Sequence, residues 1–113
     1  MNHRKEEWEL SALDTNHGEK FDRVVDVEFG VNLENTLNIL KTGATIATYS
    51  SAQDPNPKIP FLKMMYMDLT IRLVIVYAMP EKAKNDAIKD INDKLSSNEL
   101  SHRVAKSYHL NDI

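Results

Sequence analysis

The side chains of this sequence that could do chemistry are few and scattered. Its four histidines are His3, His17, His102 and His109. None forms an H-x-x-x-H pair, the spacing that sets two imidazoles on one helix face for a metal. His102 and His109 would fall on opposite faces of one strand, so no metal site is expected. Asp26 and Glu28 alternate to the same side of a β-rich segment and have the chemistry of an acid–base pair. At the mouth of a strand, partly solvated, they are expected to be structural. Ser50-Ser51 supplies hydroxyls but lacks the G-x-S-x-G elbow that activates a serine. With zero cysteines there is no thiolate, disulfide or cysteine-ligated zinc. The three glycines, Gly18, Gly30 and Gly43, stand 12 and 13 residues apart. Both glycine-rich phosphate motifs need glycines clustered within about six residues. No residue here is a credible catalytic acid, base, nucleophile or metal ligand.

The elements that would position a site are clearer. The chain has 113 residues, a net charge of −3, 42% hydrophobic and 27% charged residues. That suits one globular domain with a real core. The charge excess is too small, and the basic residues too dispersed, for a nucleic-acid partner. No apolar h-region opens the chain, and its longest apolar stretch, Leu73–Met79, has seven residues against the ~20 of a membrane helix. No membrane partner is expected, and the location is expected to be cytoplasmic.

Along the chain, Lys5–Asn16 reads as a helix with Gly18 as its C′ residue. Phe21–Phe29 (FDRVVDVEF) reads as a strand whose Val24-Val25 centre suits burial on both faces. Asn32–Lys41 carries Leu33, Leu37 and Leu40 at helical spacing, and Thr42-Gly43 ends it. Ala44–Tyr49 is a second short strand. Ser50–Pro60 holds three of the four prolines and is a loop. Phe61–Met67 is a short helix or turn whose methionines, Met64, Met65 and Met67, pack rather than bind a cofactor. Leu69–Ala78 (LTIRLVIVYA) is the densest β signal. Pro80 then opens a long helix as N1, with Ala83, Ala87, Ile88, Ile91 and Leu95 on one face and lysines and acids on the other. Arg103–Tyr108 reads as a final short strand. Strands alternating with helices at this spacing imply an α/β protein with three parallel strands, Val24–Phe29, Thr45–Tyr49 and Ile71–Tyr77. The pattern starts and stops abruptly, as though cut at both ends.

Three segments in this order resemble a known family. They are Phe21–Gly30 (FDRVVDVEFG), Leu37–Ser51 (LNILKTGATIATYSS) and Met67–Lys82 (MDLTIRLVIVYAMPEK). Together they are similar to the zinc-free NADPH:quinone oxidoreductases, the zeta-crystallin-like branch of the medium-chain dehydrogenase/reductase superfamily. Lys41-Thr42-Gly43-Ala44-Thr45-Ile46 resembles the family's K-x-G-G-x-I strand, and Asn2-His3-Arg4 its N-Y-R. Leu100–Ile113 is similar to the family's return strand and the start of its last helix. The likeness spans nearly the whole chain and about a third of a complete member.

The resemblance implies the second half of a Rossmann-type parallel sheet, with residues 1–113 a partial nucleotide-binding domain. Residues 100–113 would then begin the return to a catalytic domain. It implies hydride transfer from NADPH to a quinone or enone, by a chain inactive on its own because half the cofactor site is missing from it. In such folds ligands bind beyond the carboxyl ends of the strands. Those ends are Glu28-Phe29-Gly30, Tyr49-Ser50-Ser51 and the middle of Leu73–Tyr77, so Phe29, Gly30, Tyr49, Ser50 and Val74 are the expected cofactor-binding residues. His3 and Phe29 depart from the family pattern, standing where a tyrosine and a glycine are common. The resemblance also implies a homodimer through Leu73–Tyr77, a low-charge strand with an edge to pair. The alternative is a stand-alone, non-catalytic interaction or dimerisation module.

Overall fold

The computed structural model of the chain describes residues 7–112, so Asn2-His3-Arg4 and the first residues of the expected Lys5–Asn16 helix lie outside the described residues. The elements run α1 (Trp8–Thr15), β1 (Phe21–Asp26), α2 (Phe29–Ile39), β2 (Leu40–Thr48), α3 (Phe61–Tyr66), β3 (Thr70–Leu73) and α4 (Glu81–Ser96). Single 3-10 turns occur at Val76–Ala78 and Leu110–Asp112. The chain divides into two compact units, Met1–Ile75 and Val76–Ile113.

In the first unit the three strands form one sheet in the order β1-β2-β3, with both neighbouring pairs parallel. This is the α/β architecture implied by the alternation of strand and helix signals. Val24, Ile46 and Ile71 share one register row, and Asp26, Thr48 and Leu73 another. Both rows belong to the face that α2 and α3 cover. There Phe29, Leu33 and Leu37 from α2 and Met64 from α3 pack with Leu40, Ala44 and Ile46 of β2. The spacing of Phe29, Leu33 and Leu37, four residues apart, presents one continuous helix stripe to the sheet. Ile46 is 0% exposed; burying such an aliphatic side chain contributes about 1.5–3 kcal/mol.

The helices stop where backbone groups find other partners. At the end of α1 the Gly18 N–H bonds to Leu13 C=O and the His17 N–H to Asp14 C=O, a Schellman arrangement. His17, at φ 56°, takes the left-handed C′ position, and Gly18 follows it as C″ rather than being C′ itself. The end of α4 repeats the pattern with Asn98 at φ 57°. Pro80 is the N-cap of α4, one position earlier than N1.

Several strand boundaries differ from those read in the sequence. β1 ends at Asp26, because Asp26 Oδ1 accepts the Glu28 N–H at 2.9 Å and turns the chain into α2. Phe29 and Gly30 therefore open a helix instead of closing a strand. Val25 is not buried; it is 71% exposed, since nothing among the described residues covers that side of β1. β2 begins at Leu40, five residues before the regular run of pairing that starts at Thr45, across a register shift that includes the left-handed Gly43. β3 is four residues long, not ten. Its ladder ends with Val74 N–H on Thr48 C=O, because its partner β2 stops there. Beyond it Val76–Ala78 coils into a 3-10 turn.

The second unit holds α4 and the two 3-10 turns. The expected strand at Arg103–Tyr108 does not form. A strand needs a partner for its N–H and C=O groups, and this unit has no other strand among the described residues. On α4, Lys82–Asp86, Lys84–Glu81 and Lys89–Asp93 pair along the polar side at 2.6, 2.7 and 2.5 Å. Its apolar side leaves Ile88 and Ile91 exposed. No helix among the described residues is long and apolar enough to cross a membrane.

Candidate functional site

Parallel strands aim their carboxyl ends in one direction, and here those ends border a pocket of about 380 Å³. Thr48, Tyr49 and Ser50 come from the end of β2, Leu73 and Val74 from the end of β3, and Phe29 from the first turn of α2. The far wall is Pro55 and Pro57 of the loop that follows β2. Of the five residues expected at a cofactor, the structure brings Phe29, Tyr49, Ser50 and Val74 together around this one pocket. Gly30 does not line it.

Gly30 serves the pocket from behind. A Cβ added there would stand 2.7 Å from the Cβ and carbonyl oxygen of Asp54 and 2.9 Å from Ser51 Oγ, closer than atoms can approach. The missing side chain is what lets the loop lie against α2. Its N–H donates to Ser51 Oγ at 2.9 Å, and that hydroxyl donates to Asp54 C=O at 2.5 Å. One residue earlier, the Phe29 N–H donates to Ser50 C=O at 3.0 Å. A helix begins with N–H groups that have no partner inside it, and such a terminus is a ready anion site when they stay free. In α2 the first two are taken by the loop. The pocket is therefore a slot with a largely apolar lining and no phosphate cradle of its own.

Asp26 and Glu28 were expected at a partly solvated mouth; both are buried. Asp26 Oδ1 accepts from the Glu28 N–H and from Asn32 Nδ2, each at 2.9 Å. Glu28 Oε1 accepts from the Gln53 N–H at 2.9 Å. Glu28 also lies outside β1, so the strand alternation invoked for the pair does not apply. Each carboxylate accepts through one oxygen from backbone or amide donors, while Asp26 Oδ2 is buried without a partner among the described residues. They organise the strand-to-helix turn and the loop above it, and neither lines the slot.

The proline wall and the Glu28 contact are the parts that sequence reasoning missed. The cluster Pro55, Pro57 and Pro60 directly after a strand end was the available signal for the wall. Nothing local marks Glu28 as the acceptor for a residue 25 positions later. No group of histidines, aspartates or glutamates able to hold a metal occurs among the described residues. His102 and His109 are exposed and share no strand.

A parallel sheet with a slot across its carboxyl ends is the geometry in which α/β proteins bind nucleotide cofactors, and comparison with solved structures agrees at the level of fold. CurA from Vibrio vulnificus, solved in complex with NADPH, superposes with a TM-score of 0.68 at 14% identity, over 91% of this chain and 33% of that one. An NAD-dependent alcohol dehydrogenase superposes with a TM-score of 0.66 at 20% identity, over 88% of this chain and 27% of that one. The resemblance read from the sequence thus holds as a likeness of fold. The chain spans a quarter to a third of the length of these structures. No protein-family model matches the sequence, and no curated protein matches it.

Proposed function

We propose that the slot at the strand ends is the nicotinamide end of a cofactor site in an NADPH-dependent oxidoreductase of quinones or enones. The observation that carries this reading is the convergence of Tyr49, Ser50 and Val74, from the carboxyl ends of the parallel strands β2 and β3, and Phe29, from the first turn of α2, on one slot. The fold it shares with an NADPH-bound enzyme supports the choice of cofactor. When bound, the nicotinamide supplies the hydride, and the protein's part is to orient it and keep water away. Phe29, Val74, Leu73 and the two prolines fit that task by offering a flat ring an apolar surface. The committed amides at the start of α2 do not fit a pyrophosphate, and the 113 residues contain no glycine-rich turn that would. These residues alone accordingly do not catalyse turnover.

Reduced nicotinamide emits more strongly out of water, which gives a direct test. Adding the chain to NADPH enhances that emission, and Val74→Lys, which puts a charge into the slot, abolishes the enhancement. Steady NADPH oxidation with 1,4-naphthoquinone stays at the background rate. An emission unchanged by the chain, or an enhancement indifferent to Val74→Lys, contradicts the reading.

The same reading includes a homodimer through Leu73–Tyr77. Supporting it, Leu73 is 78% and Tyr77 87% exposed, with Ile75 and Val76 also open, an unusual concentration of apolar side chains for a monomer surface. Light scattering at tens of micromolar then gives a mass near twice that of the chain, halved by Ile75→Lys. A monomer indifferent to that change refutes the dimer.

A further inference from the structure

We infer that Glu28 is a positioning residue: its buried carboxylate, with Ser51, clasps the Ser50–Pro60 loop against the start of α2 and so holds the proline wall of the slot in place. The inference rests on the proposed reading of the slot. The observations are local and mutually dependent. Glu28 is 7% exposed, and its Oε1 accepts the backbone N–H of Gln53 at 2.9 Å, across 25 residues of chain. Two residues before Gln53, Ser51 Oγ accepts the Gly30 N–H and donates to Asp54 C=O. Gly30 leaves the space in which Ser51 and Asp54 sit. Gln53 and Asp54 directly precede Pro55, the first residue of the wall.

Glu28 does not line the slot; Ser51 does, but its hydroxyl is engaged with the Gly30 N–H and the Asp54 C=O. Removing the carboxylate leaves a backbone N–H without its acceptor and releases the loop between Ser51 and Pro55. Hydrogen bonds to charged groups count for more than neutral ones, so this contact weighs heavily in a short loop whose other tethers to α2 are the Phe29 N–H on Ser50 C=O and the Ser51 hydroxyl. The loop acts as a fixed wall, and the apolar surface that Pro55 and Pro57 present is set by Glu28.

The test compares the full chain with Glu28→Ala, Glu28→Gln and Ser51→Ala by amide hydrogen exchange and by NADPH titration followed at the Tyr49 and Val74 amides. In Glu28→Ala the Gln53 amide exchanges about tenfold faster, the loss expected for one charge-assisted hydrogen bond. Amides of β2 such as Ile46 keep their rates, and NADPH binds about tenfold more weakly. Glu28→Gln retains an acceptor oxygen and restores both values to within about threefold. Ser51→Ala frees the Gly30 amide in the same way and serves as the second route should Glu28→Ala not fold. A Gln53 amide indifferent to Glu28→Ala overturns the clasp. Faster exchange with unchanged NADPH affinity shows a merely structural carboxylate and overturns the positioning role. If NADPH moves no amide of the unsubstituted chain, the reading of the slot fails and takes the positioning role with it, while the exchange rates still decide whether the clasp exists.

Discussion

The two faces of the β1–β2–β3 sheet are made by alternate residues of the same three strands in the same register, yet they differ in almost every physical respect. On the covered face Ala44, Ile46 and Thr48 of β2 lie at 2%, 0% and 3% exposure under α2 and α3. On the other, the rows Val25–Ala47–Arg72 and Arg23–Thr45–Thr70 are exposed or half-buried. Alternation of side chains along a strand makes this division automatic once one face has helices. The slot lies at the carboxyl end of the covered face, where Thr48 and Leu73 share a row with the buried Asp26. The slot's geometry depends on the filled face, and β-branched density, which is similar on both, does not reveal which face that is.

Substitution separates the faces most sharply. Ile46→Ala opens a cavity in a fully enclosed site and costs about 2–5 kcal/mol, whereas Val25→Ala on the open face stays within about 0.5 kcal/mol; urea denaturation of the two variants reads the difference. Gly30→Ala comes next. The new Cβ collides with Asp54 and Ser51, and strain of this kind costs about 1–3 kcal/mol. The expected result is a loop displaced from α2, seen as altered amide shifts at Ser51–Asp54, with the sheet retained.

Thr36 gives a smaller effect of opposite sign. It is 1% exposed on the face of α2 turned inward, and its hydroxyl has no hydrogen-bond partner among the described residues. Replacing an unsatisfied buried hydroxyl by a methyl removes a desolvation penalty, so Thr36→Val is neutral or stabilising by up to about 1 kcal/mol, read as an unchanged or higher Tm. A clear loss of stability would mean that the hydroxyl has a partner after all.

The smallest effect lies in the second unit. Contact with Lys94, and then with Ser97, holds the Glu99 carboxyl below its ordinary value of 4.5. A carboxyl depressed in the folded state contributes stability above its unfolded value and loses it as the pH falls through the folded one. The end of α4 therefore frays on acidification below about pH 4.5, and Glu99→Gln removes that pH dependence without altering helicity at pH 7, as circular dichroism would show.

What was legible in the sequence follows the same division. The core of each strand was readable because valine, isoleucine and threonine favour extended chain whatever surrounds them. Strand ends were not. β3 stops at Leu73 because β2 ends at Thr48, and β1 stops at Asp26 because a carboxylate captures the next free N–H. These are decisions of tertiary partners. The expected strand at Arg103–Tyr108 failed for the same reason, having β propensity but no partner in its unit. At the site, Tyr49, Ser50 and Val74 were found together because a rule about strand ends needs only the strands, and Phe29 joins them from the first turn of α2. Gly30 was expected at the ligand and proved to be the gap into which the loop settles. Pro55, Pro57 and Glu28 went unseen because a loop folding back over 25 residues leaves no local pattern.

The slot is proposed to receive the nicotinamide of NADPH. The most direct test is an amide shift map of the 113-residue chain titrated with NADPH. A nicotinamide in the slot gives saturable shifts confined to Phe29, Tyr49, Ser50, Val74 and the Ser51–Pro57 loop, with Val25, Ala47 and Arg72 on the open face unmoved. Shifts centred on the open face, or none at millimolar NADPH, would contradict it.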